Sequence, residues 1–372
     1  MDNRTADSGP ASGTHRTPDA GRDRARVDHL DGLRGVAILA VLGVHWVNTY
    51  APIGGGGYLG VDVFFVLSGF VITTVLWRGR DVGTLAAAYT SFLRRRVRRL
   101  YPALIGLVVV SPIAVALVPF DDLDTADSAW HAVLSFAQLT WLAELLGTNT
   151  APFRQTWSLA MEWYFSLLWP LAVLAARRAG WTAGRLARAS LAAAAVLYLV
   201  ALPWGAEVFY FTPPGRFAEI LAGGAVALLT IDAGGALPRR RATTPLALIA
   251  AAAFGVYVLI SPFSYQDDPA RFVGVPLAVV TTVLALAAAQ HAGVVRSVLS
   301  LAPLALIGRV SYSLYLWHFL PIYLIDKDQI DLPAPVLGLA GVGVAVLGTA
   351  LSYRYLERPF TTSQARHFET RP

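Results

Sequence analysis

Apolar residues run along this chain in blocks of about twenty, divided by short stretches rich in arginine, glycine or aspartate. A helix needs roughly that length to cross a hydrocarbon core. Ten blocks qualify as predicted spans: 35–53, 58–77, 100–120, 157–176, 189–206, 216–231, 245–263, 272–290, 304–325 and 332–353. The sixth is short and glycine-rich (AEILAGGAVALL), so its ends are poorly marked. The pattern predicts an all-α integral membrane protein, a bundle of about ten transmembrane helices. Residues 1–27 are polar and lack the apolar core of a signal peptide. They are expected to form a disordered cytoplasmic arm. The membrane domain is expected over 28–360, with a polar tail at 361–372. No repeat of the kind found in inverted transporter halves is visible.

The polar stretches orient the bundle. Arginines crowd the arm (Arg16, Arg22, Arg24, Arg26), the stretch after the second block (RGRDVGTLAAAYTSFLRRRVRRLY), the loops at 177–188 and 239–241, and the terminal YRYLERPF. The alternate loops, APIGGGGY, DDLDTADS, SYQDDPA and DKDQID, are neutral or acidic. Ten spans with both termini in the cytoplasm put every arginine-rich stretch inside. Segment 128–146 is apolar enough to be an eleventh span, but would then carry the loop 177–188 outside. Residues 121–156 are therefore expected to be an outer-face excursion, with Trp130, Trp141 and Trp157 at the interface. The GGGG at 54–57 is expected to be a flexible outer turn.

Composition excludes several classes. The 372 residues are 55% hydrophobic and 15% charged, with a mean hydropathy of +0.53. Soluble domains carry nearer a quarter charged residues. Without cysteine there is no disulfide, thiolate metal site or cysteine acyl intermediate. The net charge of +6 is almost wholly arginine, Lys327 being the only lysine. It suits membrane headgroups better than nucleic acid. A phosphate loop, an HExxH pair and a nucleophile elbow are all missing. The histidines lack metal-ligand spacing, so no metal is expected.

Ionisable residues inside apolar blocks are the candidate chemistry, because a bilayer is an expensive place for them. Arg34 and His45 share the first block, roughly 16 Å apart along a helix. His45 is deep in its span. Asp62, Glu162, Arg216, Glu219 and His318 fall in the predicted outer halves. Arg34 and the run Arg94, Arg95, Arg96, Arg98 and Arg99 fall at the inner face. Structural readings stand beside the functional ones. Arg34 can snorkel as an anchor, and the arginine run can be a topology signal. Asp62 can cap a helix or bond a neighbouring span. Glu162 can pair with Arg216, and His318 can belong to an aromatic belt.

Several blocks together resemble one family. LDGLRGVAILAVLGVHW (30–46) is similar to the opening signature of the acyltransferase-3 family, whose hallmark Arg and His, with ten residues between them, match Arg34 and His45. The resemblance continues through YLGVDVFFVLSGFVIT (58–73), FLRRRVRRLYPAL (92–104), QTWSLAMEWYFSLLWPL (155–171), GRFAEILAGGAVA (215–227), SYSLYLWHF (311–319) and YLERPF (355–360). One departure is Trp163, where many relatives carry a second acid beside Glu162. Many relatives also have a C-terminal hydrolase-like domain, and the chain is expected to be the stand-alone form.

The resemblance implies a multi-pass enzyme of a bacterial cytoplasmic (inner) membrane. It would move an acyl group, usually acetyl, from acyl-CoA to a hydroxyl of a carbohydrate or glycosylated molecule. The acceptor would be an envelope polysaccharide or a macrolide-type sugar. Acyl-CoA (acetyl-CoA) would be a substrate, with no tightly bound cofactor. Joined to the residue map, this gives expected roles. The arginines at 94–99, with Arg34, would hold the donor's phosphates. His45 would be the general base, with Asp62 or Glu162 orienting its ring. Tyr164, Arg216, Glu219 and His318 would lie on the acceptor side. A transporter or lipid-linked sugar flippase is the competing class, and a membrane scaffold a weaker third.

Overall fold

The structure is a computed structural model and describes residues 19–47, 53–79, 83–117, 125–148, 150–325 and 333–360. The arm at 1–18, the end of the first predicted span, the acidic loops at 121–124 and 326–331, and the tail at 361–372 lie outside the described residues. The rest is helical, with no strand among the described residues.

The elements run α1 (Asp19–Leu42), α2 (Gly60–Arg78), α3 (Leu85–Leu117), α4 (Thr125–Phe136), α5 (Thr140–Leu145), α6 (Trp157–Arg178), α7 (Ala183–Ala201) and α8 (Ala206–Phe211). They continue as α9 (Pro213–Asp232), α10 (Thr243–Ile260), α11 (Val275–Ala289), α12 (Val294–Leu299), α13 (Ala302–Arg309), α14 (Ser311–Trp317), α15 (Phe319–Leu324) and α16 (Ala334–Ser352). Nine of the described helical stretches are long and apolar enough to cross a bilayer. The fold is that of an all-α, multi-pass membrane protein.

Four expectations are corrected. The predicted span 304–325 is not one helix but α13, α14 and α15, broken at Val310 and His318. Pro321 has no N–H to give the Trp317 carbonyl, which ends α14 and lets a new helix begin. The arginine run is not a loop, because α3 begins at Leu85 and carries it on a continuous 33-residue helix. Its unbranched arginines are good helix formers. The end of the polar arm, from Asp19, is already helical as the start of α1. The GGGG stretch is not a flexible turn. Gly54 has φ 84°, and Gly55–Leu59 form a tight 3-10 turn. Gly56 and Gly57 are buried, with the Tyr257 and Ala40 carbonyls where side chains would stand.

Small residues set the core. α2 and α9 cross where Gly69 meets the Ile220 carbonyl and Gly223 meets the Val66 carbonyl, too close for any Cβ. This explains the glycine-rich sixth block, since helices in lipid gain attraction by close backbone approach. We expect Gly69→Val to force these helices apart, at about 1–3 kcal/mol of overpacking cost. It should lower the thermal midpoint in detergent, and an unchanged midpoint would mean that the crossing is loose. α1 is seated the same way, with Gly32 against the Leu299 carbonyl, Gly35 against Leu304 and Gly308 against the Asp31 carbonyl. The crossing also buries a charge cluster. Arg216 Nη1 lies 2.7 Å from Asp62 Oδ1 and Nη2 lies 2.9 Å from Glu219 Oε1, all essentially without solvent contact. The rings of Tyr210 and Phe209 lie 4.9 and 5.2 Å from the guanidinium carbon.

Segment 125–148 is divided between α4 and α5, each too short to cross a bilayer. Trp130 is exposed and Trp141 half-buried, but Trp157 is not interfacial. It is buried against Tyr210 and Phe211 at ring distances of 4.9 and 5.0 Å, as an aromatic core member.

Candidate active site

Two features define the site, a cationic cavity and a histidine pair, and α1 carries a residue of each. α1 continues past Leu42 into the π-helical turn Gly43–Val47. Eleven residues make about three full turns, so Arg34 and His45 lie on one face of the helix.

The cavity has a volume of about 430 Å³, within the range of small-molecule sites. Arg34 of α1, Arg95, Arg96 and Arg99 of α3, and Asp31 and Glu162 supply its charge. Four guanidinium groups thus face two carboxylates. Glu162 Oε1 accepts from Ser68 Oγ at 2.9 Å and is paired with Arg96. The Nε atoms of Arg34, Arg96 and Arg99 are buried and have no hydrogen-bond partner. Unpartnered buried donors in a cationic pocket call for an anion, because their desolvation is otherwise uncompensated. A second cavity of about 170 Å³ shares Asp31, Arg34, Arg99 and Tyr312, and adds Arg309 and Glu357. Tyr312 gives its proton to the Leu100 carbonyl at 2.8 Å, and Ser313 Oγ gives its proton to Glu357 Oε2 at 2.8 Å.

The arginine run divides by helical phase. Arg96 and Arg99, three residues apart, turn inward, and Arg95 reaches the rim. Arg94 and Arg98 point to the exposed face of α3. Arg94 and Arg98 line neither cavity, so the expected donor set contracts to Arg34, Arg95, Arg96 and Arg99.

At the other end of that face, His45 Nδ1 lies 3.0 Å from Nε2 of His318, which is fully buried at the break between α14 and α15. His318 Nδ1 lies 2.7 Å from the Tyr315 carbonyl. A carbonyl only accepts, so Nδ1 of His318 carries the proton and its Nε2 has the lone pair. That nitrogen accepts from Nδ1–H of His45. The proton order along the chain then puts the lone pair of neutral His45 on Nε2. Tyr315 is fixed in turn. Its hydroxyl lies 2.7 Å from Ser158 Oγ and donates to the Gln155 carbonyl at 2.9 Å, while Gln155 Nε2 donates to the Leu316 carbonyl at 2.9 Å. Between cavity and histidines stand two rings. Phe64 lines the cavity and lies 6.3 Å from Tyr315, which lies 5.5 Å from His318.

Several expected positions change. Neither Asp62 nor Glu162 orients His45, since Asp62 is held by Arg216 and Glu162 by Arg96 and Ser68. Glu162 does not pair with Arg216, and it belongs with the arginines rather than with an outer proton-handling layer. Arg216 and Glu219 are sealed in the α2–α9 crossing and line none of the described cavities around Arg34. Tyr164 donates to the Gln138 carbonyl at 2.7 Å and ties α6 to the α4–α5 corner. His318 is the partner of His45 rather than a belt residue. Sequence reasoning missed Gln155, Ser158, Tyr312, Tyr315 and Glu357 as site residues. Their signal was there, as hydroxyls and amides inside blocks otherwise apolar.

The chain belongs to the acyltransferase-3 family. The profile of that family, described as an acyltransferase domain, matches residues 27–354. Among its relatives is a Bacillus subtilis protein provisionally named peptidoglycan O-acetyltransferase YrhL, 30% identical over 92% of this chain and 56% of its own length. The peptidoglycan O-acetyltransferase OatA of Listeria monocytogenes is 28% identical over 90% of this chain and 56% of its own. An O-acetyltransferase of Staphylococcus aureus strain COL, also provisionally named, is 27% identical over 92% and 58%. The chain thus spans little more than half the length of these relatives. No solved structure shows a significant match.

Proposed function

We propose that this protein transfers an acyl group, in the simplest case acetyl, from acyl-CoA to a hydroxyl of a carbohydrate acceptor, with His45 as general base. The observation that carries this reading is a single helix face bearing both a cationic pocket with unpartnered donors and an imidazole whose tautomer is set by His318. The donor's phosphates would lie among Arg34, Arg95, Arg96 and Arg99, where guanidinium groups pair bidentately with phosphate. Its thioester arm would run past Phe64 and Tyr315 toward His45. Nε2 of His45 takes the acceptor's hydroxyl proton as the oxygen attacks the thioester carbonyl. The C–O bond forms, the C–S bond breaks, and the imidazolium returns the proton to the departing thiolate. His318 spreads the imidazolium charge toward the Tyr315 carbonyl and keeps the ring aimed.

Acetyl as the group and peptidoglycan as the acceptor are suggested by the relatives' names. In this reading the enzyme sits in a bacterial inner membrane and takes its donor from the cytoplasm. An envelope polysaccharide is the favoured acceptor, and a macrolide-type sugar the other. The test is direct. Purified protein in lipid nanodiscs, given radiolabelled acetyl-CoA, should release CoA faster when peptidoglycan fragments are added, with label on the saccharide in equal amount. Absence of CoA release would overturn the proposal, and release without label on any saccharide would overturn its carbohydrate acceptor.

A further inference from the structure

One residue before the Gln155 frame that holds Tyr315, a second polar group is held in place. Arg154 opens the 3-10 turn Arg154–Thr156 that precedes α6. It stands eight residues before Glu162, roughly 12 Å away along a helix. Its neighbour Gln155 is bonded to both Tyr315 and Leu316, so Arg154 is one peptide from the frame that holds His318.

Arg154 is not a floating surface cation. Its Nε lies 2.9 Å from Glu144 Oε2 of α5, and its Nη2 donates to the Tyr265 hydroxyl at 2.7 Å. Glu144 is buried, and its other oxygen accepts from Thr150. Tyr265 is half-buried and stacks on Tyr210 at 4.9 Å with 27° between the rings. Yet the Arg154 side chain is 42% exposed. A planar donor set is thus fixed beside a carboxylate and an aromatic ring, partly open to solvent and one residue from the Gln155 frame around His318.

Sugars fit that combination. Neighbouring hydroxyls accept from a guanidinium fork and donate to a carboxylate, and the C–H face of a pyranose packs on an aromatic ring. We propose that Arg154 and Tyr265 form the acceptor subsite, binding a saccharide so that one of its hydroxyls reaches His45. This rests on the acyl-transfer reading above. It assigns the two substrates to opposite ends of the same histidine.

The experiment compares wild type, Arg154→Leu, Arg154→Lys and Tyr265→Leu as full chains in nanodiscs. Labelled acetyl-CoA is the donor, and a disaccharide muropeptide or chitotriose the acceptor. Arg154→Leu and Tyr265→Leu should raise the acceptor KM by about tenfold or more, as expected for a lost charged or stacked contact. The KM for acetyl-CoA should stay within twofold. Arg154→Lys should recover part of the loss, keeping the charge but not the fork. An acceptor KM within twofold of wild type, or a donor KM that rises in step, would overturn the subsite. So would loss of acceptor-independent CoA release in both leucine variants, which would make the cluster a folding element. Wild type that releases CoA but acylates neither saccharide refutes the saccharide subsite alone. Wild type that releases no CoA at all refutes the acyl-transfer reading beneath it.

Discussion

Replacing His45 by alanine is expected to abolish acyl transfer while leaving the protein folded and inserted. A positioned general base contributes roughly 10²–10⁴-fold to rate, so the remaining kcat should fall by at least that lower figure. Folding should survive, because α1 is seated through Gly32, Gly35 and Gly308 rather than through the partly buried imidazole. The companion test is His318→Leu. This variant removes the acceptor that His318 Nε2 offers to His45 Nδ1. We expect kcat to fall about 10²-fold, with both KM values within twofold. His318→Gln, whose carbonyl can still accept, should recover part of the rate. A merely structural His318 would instead lower the yield of folded protein and leave the kcat of the survivors intact. Near-normal turnover by His45→Ala would remove the base assignment and the mechanism with it.

The second large effect is expected at the other end of the helix face. Arg34→Gln and Arg99→Gln should each raise the donor KM, leaving the acceptor KM unchanged. A hydrogen bond to a charged group is worth about 1.5–3 kcal/mol, or roughly 10–100-fold in affinity. The contrast within the arginine run makes this discriminating. Arg94→Gln and Arg98→Gln remove the same charge from the same helix but from its exposed face, so their donor KM should stay within twofold. If all four variants behaved alike, the cluster would be a diffuse headgroup attractor and the cavity would have no special claim on the donor. Arg96 is the less clean probe, because removing it strands Glu162 without its ion-pair partner.

Much of this was legible along the chain because it is local. Arg34 and His45 are joined by one helix, so their spacing and shared face follow from helical geometry. The contiguous arginines had to form a cationic belt whatever their surroundings, and the long apolar blocks had to cross a membrane. Pairings between distant blocks were another matter. Glu162 was assigned to the outer layer by its place in a predicted span, yet it meets Arg96 because α3 begins fifteen residues before the block that predicted it. Asp62 was a candidate third member of a catalytic set, and it is consumed by Arg216 at a helix crossing. The glycines at 54–57 read as loop by composition, but they are where two backbones come too close for a side chain. The wall of apolar residues over 304–325 masked a break that Pro321 and His318 produce together.

From residue order alone follow a helical membrane protein, an arginine and a histidine on one face of its first span, and a block pattern that resembles an acyltransferase family. Hydropathy, helical period and covalent spacing need no knowledge of neighbours. Three-dimensional packing alone reveals that His45 meets another histidine rather than a carboxylate, which arginines turn inward, and that Asp62 and Arg216 pair at a helix crossing. A hydrogen bond spanning 273 residues depends on where helices cross. Those crossings are set by backbone contact at a few glycines, a steric fact no one-dimensional pattern contains.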